Sequence, residues 1–178
     1  MNEKLDFIFS RRSVRLFTEK PDSDSQIEAI LQAGMSAPSA RARDPWRFVV
    51  TRRSADLEMM RKIAPNGSML KEAAAAFLVC GDIDQAHENQ ESYMLQDVAA
   101  CIENMLLAIN GLGLGGCWIG VHPRQPRVAG MRDYFKLPQS IIPIAAIALG
   151  YPAVKPAKRT RYRADYVLVN RWHIINKH

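Results

Sequence analysis

Arg11, Arg12, Ser13 and Arg15 place three guanidinium groups and a hydroxyl within five residues. A planar guanidinium binds phosphate oxygens two at a time and a hydroxyl can donate beside it, so the stretch has the chemistry of a phosphate cradle. The plainer alternative is a solvated helix end, where cations are stabilised in any case. Arg159 and Arg161, carried on the stretch after Pro156, are further cations that packing does not explain. A second constellation runs Ala37-Pro38-Ser39-Ala40-Arg41-Ala42-Arg43-Asp44-Pro45 into Trp46-Arg47-Phe48-Val49-Val50, which reads as a buried strand. Small residues at the head of a strand leave space in which a flat ligand can lie. The third is the glycine-rich stretch Gly113-Leu114-Gly115-Gly116-Cys117-Trp118-Ile119-Gly120-Val121, for which a core strand with an apolar Trp is the bland reading.

Other chemistries lack support. His87, His122, His173 and His178 are scattered without ligand spacing, and neither His-Glu-x-x-His nor Cys-x-x-Cys occurs. There is no Walker loop and no Gly-x-Ser-x-Gly elbow. Gly111-x-Gly113-x-x-Gly116 matches the dinucleotide fingerprint only formally: that motif needs a strand before it and a helix after it, and the order here is the reverse. Gly111 is instead expected as the C-cap of a helix. With no credible side-chain nucleophile, redox chemistry would belong to a cofactor. The net charge of +6 favours anionic partners without choosing among them.

A chain of 178 residues with no linker, low-complexity run or internal repeat is expected to form one domain. No apolar run approaches the length of about 18–20 residues that a membrane span needs, and Met1–Ser10 lacks the apolar core of a signal peptide. Cys80, Cys101 and Cys117 are odd in number and embedded in apolar segments, which points to buried free thiols in a reducing cytoplasm.

Apolar spacing supplies the elements that must position these groups. Leu5, Ile8 and Phe9 mark a short first helix ending around Arg12-Ser13; Asp22 to Ser25 cap a second that carries Ile27, Ile30, Leu31 and Gly34. A first strand runs over Phe48–Thr51. Ser54 is expected to cap a helix with Leu57, Met60 and Ile63 inward, closed by Pro65-Asn66-Gly67. Phe77–Cys80 forms a second strand. Val98, Cys101, Ile102, Met105, Leu106 and Ile109 define a long central helix from about Ser92 to Asn110. Cys117–Val121 is a third strand, Val128–Phe135 a short helix, and Ile141–Leu149 a fourth strand buried on both faces. The basic and aromatic tail, residues 155–178, has little to pack against and is expected to lie across a partner subunit.

On its Arg-Arg-Ser-x-Arg start, its Pro-Ser loop before Pro45-Trp46 and its Gly113–Val121 segment, the chain resembles the FMN-dependent nitroreductase family over nearly its whole length. The resemblance implies an α+β fold, a mixed and mainly antiparallel sheet flanked by helices, in an intertwined homodimer with FMN sites at the interface. It implies that Arg11, Arg12, Ser13, Arg159 and Arg161 hold the FMN phosphate. Arg15 would lie at the pyrimidine edge of the flavin, favouring its reduction, with Pro38, Ser39 and Ala40 alongside the cofactor and Trp118, Ile119 and Gly120 beneath the ring. Asp97–Leu107 is similar to the family's interface helix; Asp97 and Asn104, seven apart, share a face and suit helix–helix hydrogen bonding better than catalysis. Where the family has Asn and Gln in its loop, this chain has Ala42 and Asp44, and its Asp84–Ser92 segment is short, which leaves the site more open.

The implied activity is hydride transfer from NADH or NADPH through FMN to an electron-poor acceptor such as a nitroaromatic or quinone, with no side chain as essential acid or base. Within the same fold the rival is a specialised dehalogenase, dehydrogenase or flavin-cleaving enzyme. A basic nucleic-acid-binding module is a distant alternative, because the cations flank small-residue loops rather than forming a stripe with aromatic platforms.

Overall fold

The computed structural model describes residues 5–154 and 156–172, so the outermost part of the tail falls outside the described residues. In chain order it contains α1 (Asp6–Ser10), α2 (Asp24–Met35), β1 (Trp46–Thr51), α3 (Ser54–Ile63), β2 (Ala75–Asp82), α4 (Glu91–Gly111), β3 (Gly115–Gly120), α5 (Gln125–Phe135) and β4 (Ile141–Gly150). The strands form an antiparallel sheet in the order β1-β2-β4-β3, and a parallel bridge between Ser13 and Gly116 adds the N-terminal segment to its outer edge.

The central strands β2 and β4 are apolar without interruption because both faces are covered. Alternation sorts their side chains. Phe77, Val79, Ile147 and Leu149 face α2 and α4, while Leu78, Cys80, Ala146 and Ala148 face α3 and α5. The edge strand β1 corrects the expectation of a buried strand: among the described residues it pairs only with β2, and Val50 is 37% exposed. All three cysteines are free and buried, and burial pushes the Cys80 and Cys101 thiols up to about 12.

Ser23 begins α2 with a reciprocal capping box, accepting from the Gln26 N–H at 3.2 Å while its own N–H donates to the Gln26 side chain at 3.0 Å. Two expected caps fall elsewhere. Ser54 is the first helical residue and caps nothing; Arg53 occupies the cap, with its N–H donating to Thr51 Oγ1 at 3.1 Å. Gly111 is still helical, and the left-handed residue that turns the chain into β3 is Gly113, with φ of 73°.

Asp56 ties α3 to α5: it accepts from Thr51 Oγ1 at 2.6 Å and from the Tyr134 hydroxyl at 2.8 Å. The Thr51 bond, aided by Tyr134 and the Arg53 charge, holds its carboxyl below the usual range against the opposing effect of burial. A depressed folded-state pKa gives stability that is present above the ordinary value near 3.9 and lost as pH falls through the folded value. Asp56→Asn is therefore expected to be less stable than the parent at pH 7, with the difference shrinking below about pH 4. Denaturant unfolding at pH 7 and pH 3 checks it; a constant difference would remove Asp56 from the acid response.

Candidate functional site

Two glycines let the N-terminal segment close on the sheet edge. A Cβ on Gly115 would lie 2.7 Å from Val14, and one on Gly150 would lie 2.9 Å from Phe17. Val14 and Phe17 are buried there, the Val14 N–H donates to the Gly116 carbonyl at 3.0 Å, and Ser13 and Arg15 are left facing outward.

From that anchor the chain's ends meet. The Arg12 guanidinium donates to the Ala157 carbonyl at 2.7 Å, across 145 residues of sequence, and Lys158 pairs with Asp6. These contacts gather Arg11, Arg12, Arg159 and Arg161 around a cavity of about 270 Å³, with Thr160, Phe9 and Tyr162 completing its wall. A larger cavity of about 490 Å³ lies alongside, between α1, the end of α4 and the tail, where Asn110 donates to the Phe7 carbonyl at 2.7 Å. Arg11 also approaches Glu103 at 3.5 Å. Arg15 and Arg11 lie near enough to β3 to offset in part the upward push of burial on the Cys117 thiol.

Strand register decides which backbone groups of β3 are free. The Gly116 carbonyl is taken by Val14, so its N–H and C=O point away from β4, and Trp118 and Gly120 share that orientation. Intervening residues pair inward, as Val121 does by donating to the Ile144 carbonyl at 3.1 Å. Arg127 holds the Gly120 carbonyl at 2.6 Å, which fixes that peptide. Trp118 is half-exposed and a Cβ on Gly120 would meet nothing within 4 Å, while Ile119 is packed into the opposite face. The outer edge of β3 therefore offers N–H donors beside open space.

The Pro38–Ala40 loop lies elsewhere in the chain. Its Ala40 N–H donates to the buried Asp97 carboxylate at 2.9 Å, so Asp97 caps this loop instead of bonding another helix, whereas Asn104 does reach α2, donating to the Ala33 carbonyl at 3.2 Å. On α4, Asp97 stands six residues from Glu103 and thirteen from Asn110, or about 9 and 20 Å at 1.5 Å per residue. One chain thus brings its cations to one end of α4 and its small-residue loop towards the other. Sequence reasoning passed over Asp97 as the loop's cap, Arg127, and the exposed Arg41 and Arg43; only Asp97 had been singled out at all.

The loop is strained. Arg41, Ala42 and Asp44 have φ of 56°, 51° and 50°, a region that L-residues other than Asn and Asp rarely enter. Ser39 and Asp44 hold it by reciprocal bonds: the Ser39 hydroxyl donates to the Asp44 carboxylate, and the Asp44 N–H returns to Ser39 Oγ at 3.0 Å. Ala42→Asn, which tolerates this φ, is expected to gain about 0.5–1 kcal/mol, or roughly 1–4 °C in Tm. An unchanged or lower Tm in thermal unfolding would contradict the strain.

Comparison with known proteins identifies the family and the fold. The Nitroreductase family model matches residues 8–66 and 64–151. A protein of Methanothermobacter thermautotrophicus, described as a candidate NADH dehydrogenase/NAD(P)H nitroreductase, is 38% identical over 168 residues, covering 94% of this chain and 87% of its own. The crystal structure of a protein so described from Parabacteroides distasonis superposes with a TM-score of 0.91 at 34% identity, over 97% of this chain and all of that one. A candidate nitroreductase from Desulfovibrio desulfuricans, solved in complex with FMN, gives a TM-score of 0.83 at 29% identity, covering 97% and 99% of the two chains. The family model and the structural likeness coincide over most of the molecule, and the chain belongs to the nitroreductase family.

Proposed function

We propose that the chain is an FMN-dependent oxidoreductase that takes hydride from NADH or NADPH and passes it to an electron-poor acceptor such as a nitroaromatic or quinone. The observation that carries this reading is the convergence of Arg11, Arg12, Arg159 and Arg161 beside the free outer edge of β3. The residues fit FMN: the cations suit one terminal phosphate, Ser13 offers a hydroxyl next to them, and Gly120 leaves space where a ring must approach backbone. Bound FMN would supply the hydride-accepting and hydride-donating centre. Arg12, with its neighbours, would bind the phosphate; Trp118 and Gly120 would position the ring through the β3 edge, whereas Ile119 pairs inward and packs into the opposite face, and Arg127 would keep the Gly120 peptide oriented. Arg15 would place a positive charge at the pyrimidine edge, where it would favour electron uptake.

A homodimer of single-domain chains completes this reading. Cradle and Pro38–Ala40 loop are separated along α4, so a second copy is the natural source of the loop at each cradle. Phe7 and Ile8 are half-exposed and Trp172 is 88% exposed, apolar surface that a partner subunit would cover. No helix among the described residues is long and apolar enough to cross a membrane, and the buried thiols suit a reducing cytoplasm. Visible absorption of the purified protein, nicotinamide oxidation with a quinone, and sedimentation test the assignment together. The expected outcome is a yellow dimer active with at least one nicotinamide; a colourless protein that fails to bind added FMN would overturn it.

A further inference from the structure

We propose that Arg41 and Arg43 recognise a phosphate or carboxylate on the molecule that exchanges hydride at this site, an inference that rests on the flavoenzyme reading above and on the second copy that brings this loop to the cradle. Both side chains are exposed, and neither makes a hydrogen bond or ion pair among the described residues. The loop's other charges are committed. Arg47 pairs with Asp82 at 2.9 Å, Asp44 is bonded to Ser39, and Asp97 faces inward to Ala40. What the loop shows to solvent is consequently two uncommitted guanidinium groups, a donor arrangement matched to anionic oxygens.

Strain points the same way. Arg41 sits at φ 56°, ψ 26°, an unfavourable conformation for a long side chain, and it is maintained by the Ser39–Asp44 bonds and the Asp97 cap. A backbone locked in this way presents its cations from a fixed base, which lowers the ordering cost of binding. The anion has two sources, the 2′-phosphate of NADPH or an acidic group on the acceptor, and the chemistry of recognition is shared.

Arg41→Gln, Arg43→Gln and the double variant distinguish them. Arg41→Asn, compatible with positive φ, serves as a second substitution at the strained position, and Arg53→Gln at the opposite end of β1 controls for net charge. With FMN saturating, kcat/KM is measured for NADPH and NADH, and for a carboxylate-bearing and a neutral benzoquinone. Calorimetry compares adenosine 2′,5′-bisphosphate with AMP. The double variant is expected to lose about tenfold to a hundredfold on the member of one pair that carries the additional anionic group. The member that lacks the 2′-phosphate or carboxylate should stay within about twofold. Loss confined to NADPH and the bisphosphate assigns the hydride donor, and loss confined to the charged quinone assigns the acceptor. Unchanged values throughout, or equal losses for the two members of each pair, overturn the proposal. A parent protein that oxidises neither nicotinamide refutes instead the NAD(P)H-dependent reading on which the proposal rests.

Discussion

Arg12→Ala is expected to lower FMN affinity by about one to two powers of ten, because a hydrogen bond to a charged group contributes roughly 1.5–3 kcal/mol. Arg12 is the most consequential cation of the cradle because it also donates to the Ala157 carbonyl at 2.7 Å. Its loss would remove one of the proposed phosphate ligands and free the stretch that carries Arg159 and Arg161 toward the cavity. Arg12→Lys keeps a charge but loses the forked geometry, and should fall between parent and Ala. Turnover at saturating FMN should change less than affinity, since the cradle lies at the Gly116 end of β3 and Gly120 is four residues further, about 13 Å along the strand. Titration of apo-protein with FMN, followed by rates at full occupancy, separates the two effects. Normal FMN binding by Arg12→Ala would remove this cluster from the phosphate site.

Much of the framework was legible because it rests on local pattern. The uninterrupted apolar runs of β2 and β4, the three- and four-residue steps of α4 and the Ser23 cap are each written within a few residues of one another. Errors arose where neighbouring residues offered equal signals: Gly111 and Gly113 both suit a helix end, and only the φ of 73° at Gly113 decides. Site geometry was less legible for a different reason. The Arg12–Ala157 contact joins residues 145 apart, and no spacing rule encodes it. The free edge of β3 follows from the β3–β4 register and from Val14 occupying the Gly116 carbonyl, both tertiary facts. The left-handed Arg41 carries no Gly or Asn to announce it, because distant Asp97 and the Ser39–Asp44 pair impose the turn.

Gly120→Val should separate folding from flavin binding most sharply, whereas Gly115→Ala should lower the stability of the apo-protein. At Gly120 a new Cβ meets nothing within 4 Å, and a β-branched residue suits a strand. Apo-protein stability is therefore expected to stay within about 0.5 kcal/mol of the parent. The added methyl groups occupy the space a ring needs to reach the outward N–H groups of β3. A backbone hydrogen bond that cannot form, with its donor shielded from water, costs about 1–3 kcal/mol, so FMN affinity should fall about tenfold or more. At Gly115, by contrast, a Cβ would stand 2.7 Å from Val14 Cβ and Cγ1, which must move outward with the segment that carries Ser13 and Arg15. Overpacking of this kind costs typically 1–3 kcal/mol, which lowers Tm by about 2–4 °C for each kcal/mol. Thermal unfolding of the apo-proteins and FMN titration of both variants distinguish them. If Gly120→Val bound FMN as tightly as the parent, the outer edge of β3 would not be the ring's platform, and the cations at the far end of the strand would belong to a differently oriented ligand.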